Sequence, residues 1–175
     1  MYTFHAEQWL PVPVEDAFAF FADPENLPRL MPPWQQARIE EARIIPPPPS
    51  ETSGYNSSSL AGVGTLLTLS FLPFLFSPVR LRWQAEIDSF VWNQRFSDTQ
   101  RSGPFAHWHH IHTLTPEARA NEAGASIAGT QLQDDVEYEL PLGLLDRLAH
   151  PLIAAQIRQT FAYRHRRTLQ LLLRA

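Results

Sequence analysis

The chain has 175 residues, a formal net charge of −4, and 44% hydrophobic and 11% aromatic residues. That composition is globular, with length enough for a sizeable core and no basic tract suited to a nucleic-acid backbone, although all 14 basic residues are arginine. Cysteine is absent, which excludes disulfides, thiolate nucleophiles and cysteine-ligated zinc.

Residues 1–16, MYTFHAEQWLPVPVED, show no basic start followed by an apolar run, and no apolar run approaches the roughly 20 residues that span a bilayer. A cytoplasmic protein without stable membrane insertion is expected. Tyr2, Phe4 and Ala6 alternate with His5 and Glu7, which predicts a first strand to Leu10. From Pro13 the period changes. Val14, Ala17, Phe18 and Phe21 fall at helical spacing, and Glu15 and Asp16 sit where the dipole of a helix N-terminus favours acids. Asp23-Pro24 ends that helix and opens a second short one reaching Met31, which Pro32-Pro33 stops.

Residues Trp34 to Ile45 read as a strand. Pro46 to Gly64, with four consecutive prolines and then a Ser- and Gly-rich run, reads as an inserted loop. Thr65 to Phe71 is a strand again. The Phe71–Phe76 run after it suits either a packed loop, which is the expectation, or an apolar lip at a cavity mouth. Leu81, Trp83, Ala85 and Ile87 then alternate with polar residues, predicting a strand with one buried face.

The densest chemistry lies in residues 96–114, FSDTQRSGPFAHWHHIHTL. Ser102-Gly103-Pro104 marks a turn between two strand-like runs, so the segment reads as a β-hairpin. Strand alternation puts Trp108, His110, His112 and Leu114 on one face, and His107, His109 and Ile111 on the other. Gly129 to Leu140 alternates as well, with Thr130, Leu132, Val136, Tyr138 and Leu140 on one face; Asp134 is a carboxylate on that apolar face. Two histidines and an aspartate facing a core need a partner, a ligand or water.

The chain closes on a long helix. Leu142 to Ala149 is expected to start it, with a kink or restart at His150-Pro151. Leu152, Ile153, Gln156, Ile157, Thr160 and Tyr163 form one stripe, while Arg147, Arg158 and His165 are expected to point away. With no repeat and no linker between two cores, residues 1–175 are expected to form one α+β domain.

Several groups of residues carry a resemblance. They are Pro24-Glu25-Asn26-Leu27, Trp83 with Ile87, Phe96-x-Asp98-x-Gln100, Gly103-Pro104-Phe105 and Trp108-x-His110-x-His112. Thr130 with Asp134-x-Val136-x-Tyr138-x-x-Pro141, and Phe161-x-Tyr163-Arg164, extend the set. Over essentially the whole chain this resembles the START-like (SRPBCC) helix-grip superfamily, and within it the cyclase/dehydrase-like ligand-binding group. The resemblance implies a curved antiparallel sheet of about seven strands wrapped around the C-terminal helix, with two short helices after the first strand. It also implies a cavity between sheet and helix that takes a small, largely apolar, lipid- or polyketide-like ligand. It names neither ligand nor chemistry, since one fold hosts many functions.

On that reading Trp83, Phe96, Gln100, Trp108 and Tyr138, with Ile157, Phe161 and Arg164 of the helix, contact the ligand. Phe4, Phe18, Leu69, Leu132 and Ile153 are further candidates for cavity wall or core. Asp98, His110, His112 and Asp134 form the polar anchor, with Arg164 as charge partner. A rival reading makes those four the acid and base of a polyketide cyclase or dehydratase, because a carboxylate fixes a histidine tautomer and tunes its basicity. The plainer reading is a satisfied polar network, and a regulatory module with a filled core is a third. His110-x-His112 with Asp98 or Asp134 also resembles a zinc set, but no other ligand spacing accompanies it, so neither metal nor cofactor is expected.

Overall fold

Side-chain alternation builds strand β1 (Tyr2–Leu10). The change to helical spacing after Pro13 builds α1 (Val14–Ala22), which buries Val14, Ala17, Phe18 and Ala22 and keeps Glu15 and Asp16 in its first turn. The computed structural model describes residues 1–49, 59–120 and 123–173. A one-turn 3₁₀ segment, Pro24–Asn26, leads into α2 (Leu27–Leu30), so the two short helices lie where the proline pattern puts them.

Seven strands form one antiparallel sheet. After β1 come β2 (Arg38–Arg43), β3 (Leu66–Phe71), β4 (Leu81–Val91), β5 (Arg95–Ser102) and β6 (His107–Pro116). A small ribbon of β7 (Arg119–Ala120) and β8 (Ser126–Ile127) intervenes before β9 (Thr130–Glu139). The strand order is β1-β9-β6-β5-β4-β3-β2, so the last strand inserts between the first and the hairpin. Helix α3 (Asp146–Leu172) then lies across the concave face; 27 residues at about 1.5 Å each give roughly 40 Å. This is the helix-grip architecture.

The inner face carries two apolar clusters, one around Phe18, Ile87, Phe96 and Leu114, the other around Trp108, Tyr138, Ile157 and Phe161. Along β6 the order Trp108, His110, His112, Leu114 passes from the second cluster to the first, so the two histidines fall between them. All four are buried, as the alternation requires, while His107, His109 and Ile111 lie on the wetter face.

Several expectations change. The strand expected from Trp34 shortens to Arg38–Arg43, because Pro33–Gln35 makes a 3₁₀ turn and Gln36 turns left-handed at φ 45°. The last helix starts at Asp146, after a 3₁₀ turn at Gly143–Leu145, and runs through Pro151 without a restart. Pro151 sits early in α3, where only one internal N–H bond is lost. On the same helix Leu152 is 73% exposed, and His165 faces the sheet instead of solvent. Phe74, Leu75 and Phe76 are exposed, Phe76 by 88%, so the run after β3 is not a packed loop. Of the Pro46–Gly64 loop, residues 50–58 lie outside the described residues. Its two ends meet closely, since a Cβ on Gly62 would stand 2.6 Å from the Pro47 backbone. That contact helps seat Leu60 and Ala61 in the core.

Candidate functional site

Register across three strands assembles the polar cluster. β6 lies between β5 and β9, so Asp98 stands opposite His110 on one side and Asp134 opposite His112 on the other. Residues two apart on β6 share a face, and the two imidazole centroids are 4.0 Å apart. His110 is held from both ends. Its Nε2 lies 3.0 Å from Asp134 Oδ1 in hydrogen-bond geometry, and its Nδ1 lies 3.6 Å from Asp98 Oδ2.

His112 Nδ1 is 2.7 Å from the same Asp134 oxygen, yet out of line for a directed hydrogen bond, so that buried nitrogen has no hydrogen-bond partner among the described residues. Phe96 stacks on His112 at 4.4 Å, with Phe21 of α1 at 6.0 Å. His165 of α3 closes the group from above, its Nε2 3.6 Å from Asp134 Oδ2. Asp134 is therefore a buried carboxylate ringed by three histidines, its side chain 2% exposed.

Burial and charge set the protonation states. Burial pulls His110 down to about 4, and the neighbouring His112 adds to the pull against the opposing Asp134 and Asp98 carboxylates. Burial likewise lowers His112. For Asp134 burial works against ionisation, but the contacts with His112, His110 and His165 outweigh it and hold the carboxyl well below the usual range. At neutral pH the cluster is thus an ionised Asp134 receiving an N–H from a neutral His110. Asp98 behaves differently: burial raises it against the opposing charges of His110 and Arg164. A fifth of its side chain remains exposed, facing an internal cavity.

That cavity measures about 160 Å³, and Asp98, His110 and His112 form part of its wall. Leu67, Leu69, Ala85, Ile87 and Phe96 make the sheet side, while Leu27, Leu30 and Met31 close it from the α2 side. A second chamber of about 150 Å³ adjoins it towards the start of α3, bounded by Pro104, Phe105, Ile153, Gln156 and Ile157. The two share Met31, Phe71, Trp83, Trp108, Thr160 and Phe161, so an aromatic waist separates them. Trp83, packed edge-on against Trp108 at 4.8 Å, carries a buried indole N–H with no partner among the described residues. Beside the second chamber, Gln156 donates to the Pro73 carbonyl, tying α3 to the exposed Phe74–Phe76 loop.

Of the sequence-predicted residues, Trp83, Phe96, Asp98, Trp108, His110 and His112 line the larger chamber, joined by Phe161 and Arg164, and Ile157 lines the smaller. Gln100 does not reach either. Its side chain folds over the hairpin turn, donating from Nε2 to the Phe105 carbonyl at 2.7 Å. Tyr138 is core, its hydroxyl 3.1 Å from His150 Nε2, and Asp134 stands behind the histidines. Arg164 lies with its guanidinium 5.0 Å from the Phe161 ring centroid and acts on Asp98 through charge at a distance. Sequence reasoning missed His165, Phe21 and the α2 wall. For His165 the sequence held no clear signal: the burial of Thr168, which carries the inner face of Ile157 and Phe161 past His165, is seen only in the structure.

The family description "Polyketide cyclase / dehydrase and lipid transport" matches residues 10–163. No curated protein sequence matches the chain. Among solved structures, TTHA0849 from Thermus thermophilus is similar at 16% identity and TM-score 0.67, covering 98% of this chain and 97% of that one. CV1439 from Chromobacterium violaceum is similar at 18% identity and TM-score 0.60, covering 94% and 96%. Ara h 8.0201 is similar at 16% identity and TM-score 0.55, covering 99% of both chains. These likenesses concern the fold. Among the described residues no helix is long and apolar enough to cross a membrane.

Proposed function

The chain belongs to the polyketide cyclase / dehydrase and lipid transport family, and from that membership we propose that it binds an elongated, mostly apolar molecule between the sheet and α3. The observation that carries this reading is the pair of adjoining apolar chambers with polar groups on one wall of one of them. Each chamber is close in size to a cavity that admits benzene, so a ligand occupying both is longer than it is wide. Apolar walls supply affinity by removing ligand surface from water, at about 25 cal/mol per Å². The unpaired Trp83 N–H and the Asp98–His110–His112 wall favour a ligand with an oxygen function directed at the larger chamber.

The test is native mass spectrometry of the purified protein, followed by extraction and identification of what is bound. A stoichiometric lipid- or polyketide-like adduct, or uptake of one from an added panel of fatty acids and aromatic polyketides, is the expected result. An unchanged mass across that panel, with no displacement of an apolar fluorescent probe, would overturn it.

A second reading has its own support. Asp98 is shifted upward and Asp134 downward, with His110 between them, and carboxyls pushed apart in this way divide acid and base roles. In that reading neutral His110, held by Asp134, takes a proton next to a ligand carbonyl, and Asp98 supplies one during cyclisation or dehydration. Turnover of a polyketide-like substrate that His110→Ala abolishes, with binding retained, would establish it. Retained turnover in that variant would exclude it.

A further inference from the structure

We propose that Asp98, His110 and His112 bind one divalent transition-metal ion on the wall of the larger chamber, with Asp134 behind them holding both imidazoles. One ligand atom from each of the three lies within 4.8 Å of the others. Bonds of about 2.0–2.2 Å to a tetrahedral ion separate ligand atoms by about 3.3–3.6 Å, so modest side-chain rotations close the set. His110 Nδ1 and Asp98 Oδ2, at 3.6 Å, already meet that spacing.

The stronger argument is what the other ring nitrogens do. A metal-binding histidine characteristically donates its second N–H to a carboxylate, which fixes the tautomer and aims the remaining lone pair. Both histidines here turn one nitrogen to the same oxygen, His110 through Nε2 at 3.0 Å and His112 through Nδ1 at 2.7 Å. The nitrogens left over are His110 Nδ1 and His112 Nε2. The misalignment at His112 fits as well: its buried Nδ1 lacks a proper hydrogen bond, and ligation through Nε2 supplies a reason for the ring to turn into line with Asp134.

The donor set of two nitrogens and one oxygen suits zinc, iron or cobalt and not calcium or magnesium. The carboxylates of Asp98 and Asp134 balance the two positive charges of the ion. Three protein ligands leave coordination positions open, and the chamber is the space into which they face. Sequence alone left the third ligand open between Asp98 and Asp134; the β5–β6 register sets Asp98 opposite His110 and brings it into the set.

The metal can bind whether or not the cavity takes an apolar ligand, so the experiment follows both. Tag-free protein is stripped with a chelator and titrated with Co²⁺ while visible d–d absorption is recorded, then Zn²⁺ is added in competition. Uptake of an apolar fluorescent probe is measured on the same samples. One Co²⁺ per chain, displaced by Zn²⁺, is expected. Asp98→Asn and His112→Ala should abolish it, and Asp134→Asn should weaken it by about 10–100-fold.

His110→Ala strips a buried partner from Asp134 and endangers folding, so Asp98→Asn, on the cavity surface, is the deciding variant. No uptake at micromolar Co²⁺ or Zn²⁺, or uptake that Asp98→Asn and His112→Ala leave unchanged, would overturn the proposal. Probe uptake without metal sinks the metal site alone, whereas metal without probe uptake sinks the apolar-ligand reading alone.

Discussion

Removing Asp134 leaves the His110 N–H without its acceptor in a buried site, so Asp134→Ala should cost about 1–3 kcal/mol, read as a lower denaturation midpoint in urea. The same residues fix a dependence on pH. His110 falls to about 4 in the folded protein against an ordinary value of 6.5, so the unfolded chain takes the proton first on acidification. Stability is therefore full above about pH 6.5 and declines as pH falls towards 4, by on the order of 3 kcal/mol. His112 is shifted the same way and steepens the decline. Asp134, depressed in the fold, gives up its own contribution only at still lower pH, and Asp98, raised by burial, acts in the opposite sense. Urea titrations from pH 7 to 4 should show this slope in the native protein and a shallower one in His110→Asn. The role of Asp134 as a buried charge could be read from the alternation of β9, which sets one carboxylate among Leu132, Val136 and Tyr138. His165 could not be read in this way, because a helix stripe drifts and one residue more or less moves a side chain by about 100°.

At the level of elements, α3 carries an internal proline whose ring leaves the Arg147 carbonyl without its usual donor. Pro151 is exposed, so nothing in the core depends on it. Pro151→Ala should stabilise the protein by about 1–2 kcal/mol, and a thermal scan should show a rise of a few degrees. The strands were legible where apolar and polar residues alternate over a long stretch, as in β4, β6 and β9, since burial on one face enforces register. They were illegible where the chain was short or two-sided. The β7–β8 ribbon has two exposed residues per strand and therefore no periodicity to display. Five of the six residues of β2 are exposed, and its limits come from pairing with β3 and not from its own pattern.

For the molecule as a whole, the aromatic waist between the chambers governs what fits. Phe161 borders both, packs against His110 at 5.4 Å and Phe4 at 4.7 Å, and is fixed by α3. Phe161→Ala should merge the chambers, shift preference towards longer acyl chains in a binding series of graded length, and cost about 3 kcal/mol of stability. The cavity itself was legible only through the resemblance, because a void is a property of how α2, α3 and the sheet fail to touch, and no residue pattern encodes a gap. The position of β9 has a consequence of another kind. Tyr2 pairs with Tyr138, and Leu10 with Thr130, so β1 is made long before β9, the strand that gives it a neighbour. Closing so long a loop is slow, and until it closes β1 is unpaired on both edges, where the finished sheet leaves it one. Folding rate and aggregation during synthesis should therefore respond more to β1 and β9 than to the hairpin that holds the histidines.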